Sequence, residues 1–349
     1  MKSAMQIDVA VLIGRFQPFH NGHATLLQLA LETAEEVVVI LGSSFHARST
    51  KNPFTWQERA DMINATLTPD ERDRVSYIAV RDYYDDARWA AAVRGKVERH
   101  FPYAKRIALI GHFKDASSYY LNRFPQWQLV AAEQLLAIDA TVIRKVLFEA
   151  EDMRVSLDVI AHYLPQSVRQ YLKAWSILPH YAVLVKEHAQ LLAYQEAWKA
   201  APYAPTFVTL DAVVKAAGHV LLVQRGGFPG KGLWALPGGF LDQNERLFQG
   251  AIRELFEETN LAVLASTLEH ALVDVKVFDH PGRSLRGRTI THAHYFDLQT
   301  DHLPDIRAAD DAAQAAWVSI DKLENMEELF FDDHFHILDQ FLNLTANEN

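Results

Sequence analysis

Two stretches of the chain carry side chains whose types and spacing could do chemistry. The first is Gly14-Arg15-Phe16-Gln17-Pro18-Phe19-His20-Asn21-Gly22-His23, set between an apolar run and a helical pattern. First-turn N–H groups of a helix lack intrahelical partners and carry the positive end of its dipole, so an anion satisfies them. Gly14 lets the backbone come close to that anion, and Arg15 adds a permanent cation with a planar donor fork. His20 and His23, three residues apart, turn both imidazoles to one side of the helix start. The stretch lacks the Walker pattern of the other common phosphate cradle, and H-x-x-H alone also suits a plain loop pair or a metal site. The second stretch is Arg253-Glu254-Leu255-Phe256-Glu257-Glu258. Its glutamates fall at i, i+3 and i+4, which puts three carboxylates on one helical face. Unpaired they would destabilise the helix, whereas with Mg²⁺ or Mn²⁺ they form a hard-oxygen metal site. Arg253 can reach back to Glu257 or a nearby acid and hold its rotamer. The plain alternative is a solvated acidic helix.

The elements that must position these groups follow from hydrophobic periodicity. Apolar runs at 9–13, 37–41, 75–80 and 107–110 alternate with helical patterns near 24–33, 56–66 and 88–101. That rhythm predicts a parallel, doubly wound sheet with its ligand site beyond the carboxyl ends of the strands. Chemistry-bearing residues do follow each run. Arg48, Lys51 and Asn52 come after the second, before a helix that Thr55 caps with Glu58 as in a capping box. Asp82, Tyr83 and Tyr84 come after the third, and Gly111, His112, Lys114 and Asp115 after the fourth. Further on, Asp139 caps a helix carrying Thr141 in its first turn and Arg144 one turn later.

Between 169 and 199 the pattern is helical, broken at Pro179, and Ala200-Ala201-Pro202-Tyr203-Ala204-Pro205 reads as a linker. Strands are expected at 206–214 and 219–224 around the turn Ala216-Ala217-Gly218. The expected division is therefore a first domain at 1–180, a helical linker at 181–204 and a second domain at 205–349.

A chain of 349 residues is too long for one ordinary domain and comfortable for two. With no cysteine it can make neither disulfides nor thiolate zinc sites. No apolar stretch approaches a membrane span and residues 1–6 do not read as a secretory signal, so a cytoplasmic enzyme without membrane partners is expected. The net charge of −10 is uneven: residues 1–180 hold 21 Lys and Arg against 20 Asp and Glu, and residues 181–349 hold 13 against 24. Neither half has the broad basic face of a nucleic-acid binder, so small-molecule partners are expected, and a homodimer stays open.

The decapeptide G-R-F-Q-P-F-H-x-G-H resembles the first signature of the nucleotidyltransferase superfamily, in the form carried by archaeal-type nicotinamide mononucleotide (NMN) adenylyltransferases. The resemblance implies in-line attack of the NMN phosphate on Pα of ATP, giving NAD⁺ and pyrophosphate. Gly14, Arg15, Phe16 and Gln17 would then line the nucleotide, while His20 and His23 hold the ATP phosphates with a substrate-borne Mg²⁺. The segment G-S-S-x-x-x-R-x-x-K-N-P-F-T is similar to the family's second one, where Arg48 would contact phosphate and Asn52 orient nucleotide, with Lys51 beside them. The resemblance puts the mononucleotide base near Asp82. It puts the adenosine side near Gly111, His112, Lys114 and Asp115. The text I-D-A-T-V-I-R is similar to the superfamily's I-S-x-T-x-[IV]-R, with Asp139 where serine is usual and with Thr141 and Arg144 matching.

In the second half, G-x5-E-x7-R-E-U-x-E-E-x-G-U, with U aliphatic, is the Nudix box, and residues 239–261 resemble it except that Asn260 replaces the last glycine. Asparagine is the next most tolerant residue at a left-handed helix stop. The resemblance implies metal-assisted attack of water on a diphosphate, with Glu258 the principal ligand, Glu254 and Glu257 beside it, and the Gly239 carbonyl as a further ligand. The base comes from the box or a later loop, with Glu269, Asp310, Asp311 and Glu324 as candidates. Residues 225–238 are similar to the lead-in of ADP-ribose hydrolases, where Arg225 or Lys231 would meet phosphate and Trp234 would pack. The basic run Arg286-Gly287-Arg288 fits a solvated hairpin equally well. Together the halves resemble the family of bifunctional NMN adenylyltransferase/Nudix ADP-ribose pyrophosphatases. The rival readings make the second domain an ADP-ribose or NAD⁺ sensor, or give the first nicotinic acid mononucleotide or a cytidylyltransferase substrate.

Overall fold

The computed structural model describes residues 7–111, 121–132 and 138–346, and its two compact units divide between Lys186 and Glu187. The first runs β1 (Ile7–Gly14), α1 (Asn21–Thr33), β2 (Ala34–Leu41), α2 (Trp56–Asn64), α3 (Pro69–Arg72), β3 (Val75–Ala79), α4 (Asp86–His100), β4 (Ile107–Gly111), β5 (Gln128–Ala131), α5 (Ala140–Glu149), α6 (Met153–Val159) and α7 (Gln166–Trp175). The division falls inside α8 (Pro179–Ala197), so the helical part of the expected 181–204 linker is the body of α8, and only 198–205 is irregular.

All four ladders of the first sheet are parallel, in the order β3-β2-β1-β4-β5. The order reverses between β1 and β4, which is where the ligand crevice of such a sheet opens. β1 reads as an unbroken apolar run because both its faces are covered. Ala10 and Leu12 enter the core built with Leu27, Met62, Ile143 and Leu172, whereas Val9, Val11 and Ile13 enter the one built with Val93 and Val97 of α4. The edge strand β5 lay outside the sequence expectation, since it is only four residues long and mostly exposed.

Local signals set the helix starts. Thr55 and Glu58 form the full capping box of α2, and Asp139 caps α5 by accepting the Thr141 N–H at 2.8 Å. Arg59 of α2 is fully buried, yet its partners are backbone and hydroxyl groups. Its guanidinium donates to the carbonyls of Arg15 (2.6 Å), Gly42 (2.7 Å) and Thr55 (3.3 Å) and to the Ser44 hydroxyl (3.0 Å). Burial pulls its pKa down to about 10, so it stays charged at neutral pH, and it ties the loop after β1 to the loop after β2.

The second unit comprises β6 (Thr206–Ala216), β7 (His219–Arg225), β8 (Trp234–Ala235), β9 (Gly238–Phe240), α9 (Leu247–Thr259), α10 (Ala265–Ala271), β10 (Leu272–Phe278), β11 (Arg288–Asp297), β12 (Ala312–Ser319), α11 (Ile320–Leu323) and α12 (His334–Leu342). Its mixed sheet has the order β10-β11-β6-β7-β12, with β8 on β7 and β9 on β6. The β6–β7 hairpin turns at Ala217 (φ 44°) and Gly218 (φ 75°), the paired positive values that a two-residue turn needs to match strand twist. One face buries Val213, Leu222 and Ala293 against Phe335 and Leu338 of α12, and the other buries Ala212, Val214 and Phe296 with Leu255 of α9. The result is an α/β/α sandwich.

Two buried polar ties hold the start of α12. Arg283 and Asp333 form a doubly bonded ion pair at 2.8 and 2.9 Å, and His334 Nδ1 accepts the Leu236 N–H at 2.9 Å. Burial holds the His334 pKa down at about 3, so the folded chain keeps this ring neutral. Among the described residues no helix is long and apolar enough to cross a membrane.

Arg59→Met keeps the stem but strips a buried donor from several acceptors, so a loss of about 2–4 kcal/mol is expected in urea unfolding. A change under about 0.5 kcal/mol would show that these ties carry no weight. For His334 the unfolded value is 6.5 and the folded one is lower, so its contribution is intact above pH 6.5 and drains away as pH falls toward about 3. The expected slope is on the order of 1 kcal/mol per pH unit across that window, flattened in His334→Gln; equal slopes in both proteins would refute the assignment.

Candidate functional site

The loop after β1 is held in shape before any ligand is considered. Gln17 is buried, and its amide makes a two-way tie to Phe54, donating to the carbonyl at 2.8 Å and accepting the N–H at 3.0 Å. Phe16 is buried at φ 50°, and its ring lies so close over Gly14 that a Cβ there would stand 2.8 Å from it. In this arrangement Gly14 leaves room for the Phe16 ring, Phe16 packs in the core, and the Gln17 side chain ties its loop to Phe54.

On that scaffold His20 caps α1, its Nδ1 accepting the His23 N–H at 3.3 Å. An accepting Nδ1 carries no proton, so the ring proton of neutral His20 resides on Nε2. The two imidazoles stack with centroids 3.6 Å apart and 17° between planes, and the Phe16 ring meets His23 edge-on at 4.7 Å. Arg144 reaches the same loop from α5. It donates to the Gln17 carbonyl at 2.7 Å and to the Thr141 hydroxyl at 3.1 Å. Burial, then the nearby Arg15 cation, lowers its pKa, so two cations face one region beside the histidine pair. An anion between them would relieve that repulsion.

Arg48 does other work. It pairs with both oxygens of Glu58, one at 2.9 Å, and donates to the Pro53 carbonyl at 2.7 Å. Glu58 completes the capping box and accepts from the Trp175 indole at 3.1 Å, so Arg48 is paired with a carboxylate that the scaffold itself holds. Asn52 fits a ligand better, because among the described residues its buried side-chain oxygen has no hydrogen-bond partner. Lys51 is half-buried beside it. Asp82 faces His46 Nε2 at 3.3 Å; of its two aromatic neighbours Tyr83 is core and Tyr84 is exposed. Gly111 ends β4 in close contact with Leu121, and His112, Lys114 and Asp115 lie outside the described residues.

In the second unit α9 carries the acids. Arg253 donates to Glu245 (2.7 and 3.0 Å), Glu254 (2.9 Å), Glu257 (2.8 Å) and the Phe240 carbonyl (3.2 Å), which fixes these carboxylates at once. Asn260 stops the helix at φ 42°, ψ 40°. A Cβ at Gly239 would collide with the Glu254 carboxylate, so glycine there lets carbonyl and carboxylate approach one another. Glu258 is buried, accepts the Gly238 N–H at 2.9 Å and shares a hydrogen bond with Asp311. Burial, then Asp311 and Glu254, pushes its pKa up to about 9. A buried carboxyl among other acids is what a divalent cation would recharge, and the donors are all hard oxygens, so the residues fit Mg²⁺ or Mn²⁺. In the structure the three box glutamates are not drawn onto one point, because Glu254 and Glu257 lean on Arg253.

Of the candidate bases only Asp311 is brought into this cluster; Asp310 is exposed with φ 51°, and Glu269 and Glu324 are exposed on separate helical turns. Arg225 is half-buried and feels the Asp311 and Glu258 charges, whereas Lys231 is exposed on the turn before β8. Trp234 packs against the core under α12. Sequence reasoning missed Arg59, Arg283, Asp333 and His334, whose spacing in the chain carries no signal.

Residues 11–150 match the Cytidylyltransferase-like family and residues 205–341 the NUDIX domain family. A nicotinamide/nicotinic acid mononucleotide adenylyltransferase of Acinetobacter baylyi is 37% identical over 171 residues, 49% of this chain and 87% of the relative. An ADP-ribose pyrophosphatase of Methanocaldococcus jannaschii is 31% identical over 39% of this chain and 72% of its own length. The crystal structure of a bifunctional NMN adenylyltransferase/ADP ribose pyrophosphatase from Francisella tularensis, complexed with AMP and a manganese ion, superposes with a TM-score of 0.89 at 35% identity, covering 97% of this chain and 99% of that one. A likeness that spans both units at this identity, joined to a histidine pair at the β1 tip and a carboxylate cluster on α9, shows that the chain belongs to the family of bifunctional NMN adenylyltransferase/ADP-ribose pyrophosphatases.

Proposed function

We propose that the first unit transfers AMP from ATP to NMN, giving NAD⁺ and pyrophosphate, and that the second hydrolyses ADP-ribose to AMP and ribose 5-phosphate. The observation that carries the reading is the pairing of opposite charge designs: stacked His20 and His23 beside Arg15 and Arg144 in one unit, and Glu254, Glu258 and Asp311 in the other. The family relatives support it.

In the first reaction the nucleophile is a phosphate oxygen that is already anionic, so the side chains need supply no strong base. Their work is alignment and charge. His20 and His23 at the head of α1, with Arg15 and Arg144, hold the triphosphate and steady the charge that grows on departing pyrophosphate. Asn52 offers its unpartnered oxygen to a nucleotide donor, and Lys51 adds charge at the same loop. In the second reaction Glu254, Glu257, Glu258 and the Gly239 carbonyl would hold Mg²⁺ or Mn²⁺. The ion supplies Lewis-acid polarisation of the diphosphate and a more acidic water. Arg253 orients the carboxylates, Asp311 is placed to take a proton, and Arg225 meets phosphate. The Acinetobacter relative's name includes nicotinic acid mononucleotide, so the first unit is expected to accept both mononucleotides.

The test is to incubate purified protein with NMN, ATP and Mg²⁺, and separately with ADP-ribose and Mn²⁺, identifying products by mass. His23→Ala is expected to lower the first turnover by roughly 100-fold or more while leaving the second intact. Glu258→Gln should do the reverse. Fully active variants would remove these roles, and a wild-type protein releasing no AMP with metal would favour a sensor.

A further inference from the structure

Arg225 and Arg286 are two half-buried cations of the second unit whose charge is left unspent. Arg225, the last residue of β7, gives its Nε to the Pro229 carbonyl at 2.9 Å and lays its guanidinium over the Phe331 ring, 4.2 Å from the centroid. Arg286 gives its Nε to the Ser284 hydroxyl at 3.4 Å. Its guanidinium stands 5.7 Å from the same Phe331 ring and 5.1 Å from that of Phe240. Among the described residues neither arginine is in an ion pair, and their terminal nitrogens make no hydrogen bond.

The two charges also sense one another. After burial, Arg286 is the largest influence depressing the Arg225 pKa. Acids stand near but do not close on them: Arg225 feels Asp311, Asp332 and Glu258, and Arg286 acts on Asp332. The shared ring is fixed in place. Phe331 is buried, its N–H is bonded to the Trp234 carbonyl at 2.9 Å, and a Cβ at Gly230 would strike it. In a half that holds 13 Lys and Arg against 24 Asp and Glu, a paired positive spot is not a by-product of overall charge. Guanidinium forks laid on aromatic faces keep their planar geometry and leave their outer N–H groups for a phosphate, which they meet two bonds at a time.

We infer that Arg225 and Arg286 form a paired-guanidinium clamp, seated on Phe331, that binds the diphosphate of a nucleoside-diphosphate-linked substrate and presents it to the acids of α9. The clamp rests on the hydrolase reading given above. It assigns Arg286, on the connection into β11, a role in substrate binding. The adjacent carboxylates repel an anionic substrate, and the clamp is what lets one approach.

The experiment compares wild type, Arg286→Met and Arg286→Lys in steady-state hydrolysis of ADP-ribose with Mn²⁺, with NMN adenylylation as the control. Methionine keeps an apolar stem against Phe240. The expected result for Arg286→Met is a KM raised about tenfold with kcat within about twofold, the pattern of a lost uniform binding contact. Arg286→Lys should fall between, since it keeps charge without the fork, and NMN adenylylation should not change. Should Arg286→Met fail to fold, Arg286→Gln carries the same comparison. A KM unchanged within about twofold in the neutral variant, with wild type active, overturns the clamp alone. Wild type that does not cleave ADP-ribose overturns the hydrolase reading and the clamp with it.

Discussion

Like charges held close together are the constraint on which both units are built. Arg15 and Arg144 press on one another beside the histidine pair, and at α9 the Asp311 and Glu254 charges, added to burial, push the Glu258 carboxyl toward its neutral form. At an effective dielectric of about 20, unit charges 4 Å apart interact by roughly 4 kcal/mol, comparable with the effect of a large core truncation. A fold tolerates that only if the groups are fixed by something other than their own charge. A ligand of opposite sign then binds to a site whose reorganisation is already complete.

What fixes them is a second set of polar groups that face the backbone. Arg59 joins the loops after β1 and β2 through carbonyls, Gln17 fastens its loop to Phe54, and Arg144 is itself anchored on the Gln17 carbonyl. In the second unit Arg253 spans four acceptor residues, and Arg283 with Asp333 ties the connection before β11 to the start of α12. A carbonyl partner neutralises no charge, so Arg144 keeps its full positive field while being held in place. Arg48, facing the Glu58 carboxylate instead, loses its field to the ion pair. The identity of the partner separates a scaffold arginine from one available to substrate.

That distinction is also where sequence reading stops. The alternation of strands and helices, the capping box at Thr55, the cap at Asp139, the glutamate face of α9 and the left-handed stop at Asn260 were legible because each depends on residues within a turn of one another. Arg48 and Arg59 look alike in sequence, and only their partners, ten and up to 44 residues away, tell them apart. Gly14 was legible as a glycine, but the ring of Phe16 lying over it was not. Asp311 enters the cluster as the residue before β12 and has no spacing relation to the box. The short edge strand β5 escaped because exposed residues leave no periodic trace.

Net charge, finally, says little about what either unit binds. The second half is strongly acidic, yet its proposed substrate is an anion, and a uniform field of that sign would oppose association. Screening decides the matter. At physiological ionic strength fields fade over about 8 Å, so the scattered surface acids contribute weakly at the site. The α9 carboxylates call for a cation, whereas Arg225, which feels the Glu258 and Asp311 charges, gives its Nε to the Pro229 carbonyl and lies over the Phe331 ring. Under the proposed clamp, keeping unlike charges apart lets one small surface accept a metal ion and a diphosphate together. A unit that had allowed those arginines to pair with those glutamates would be more stable and could hold neither.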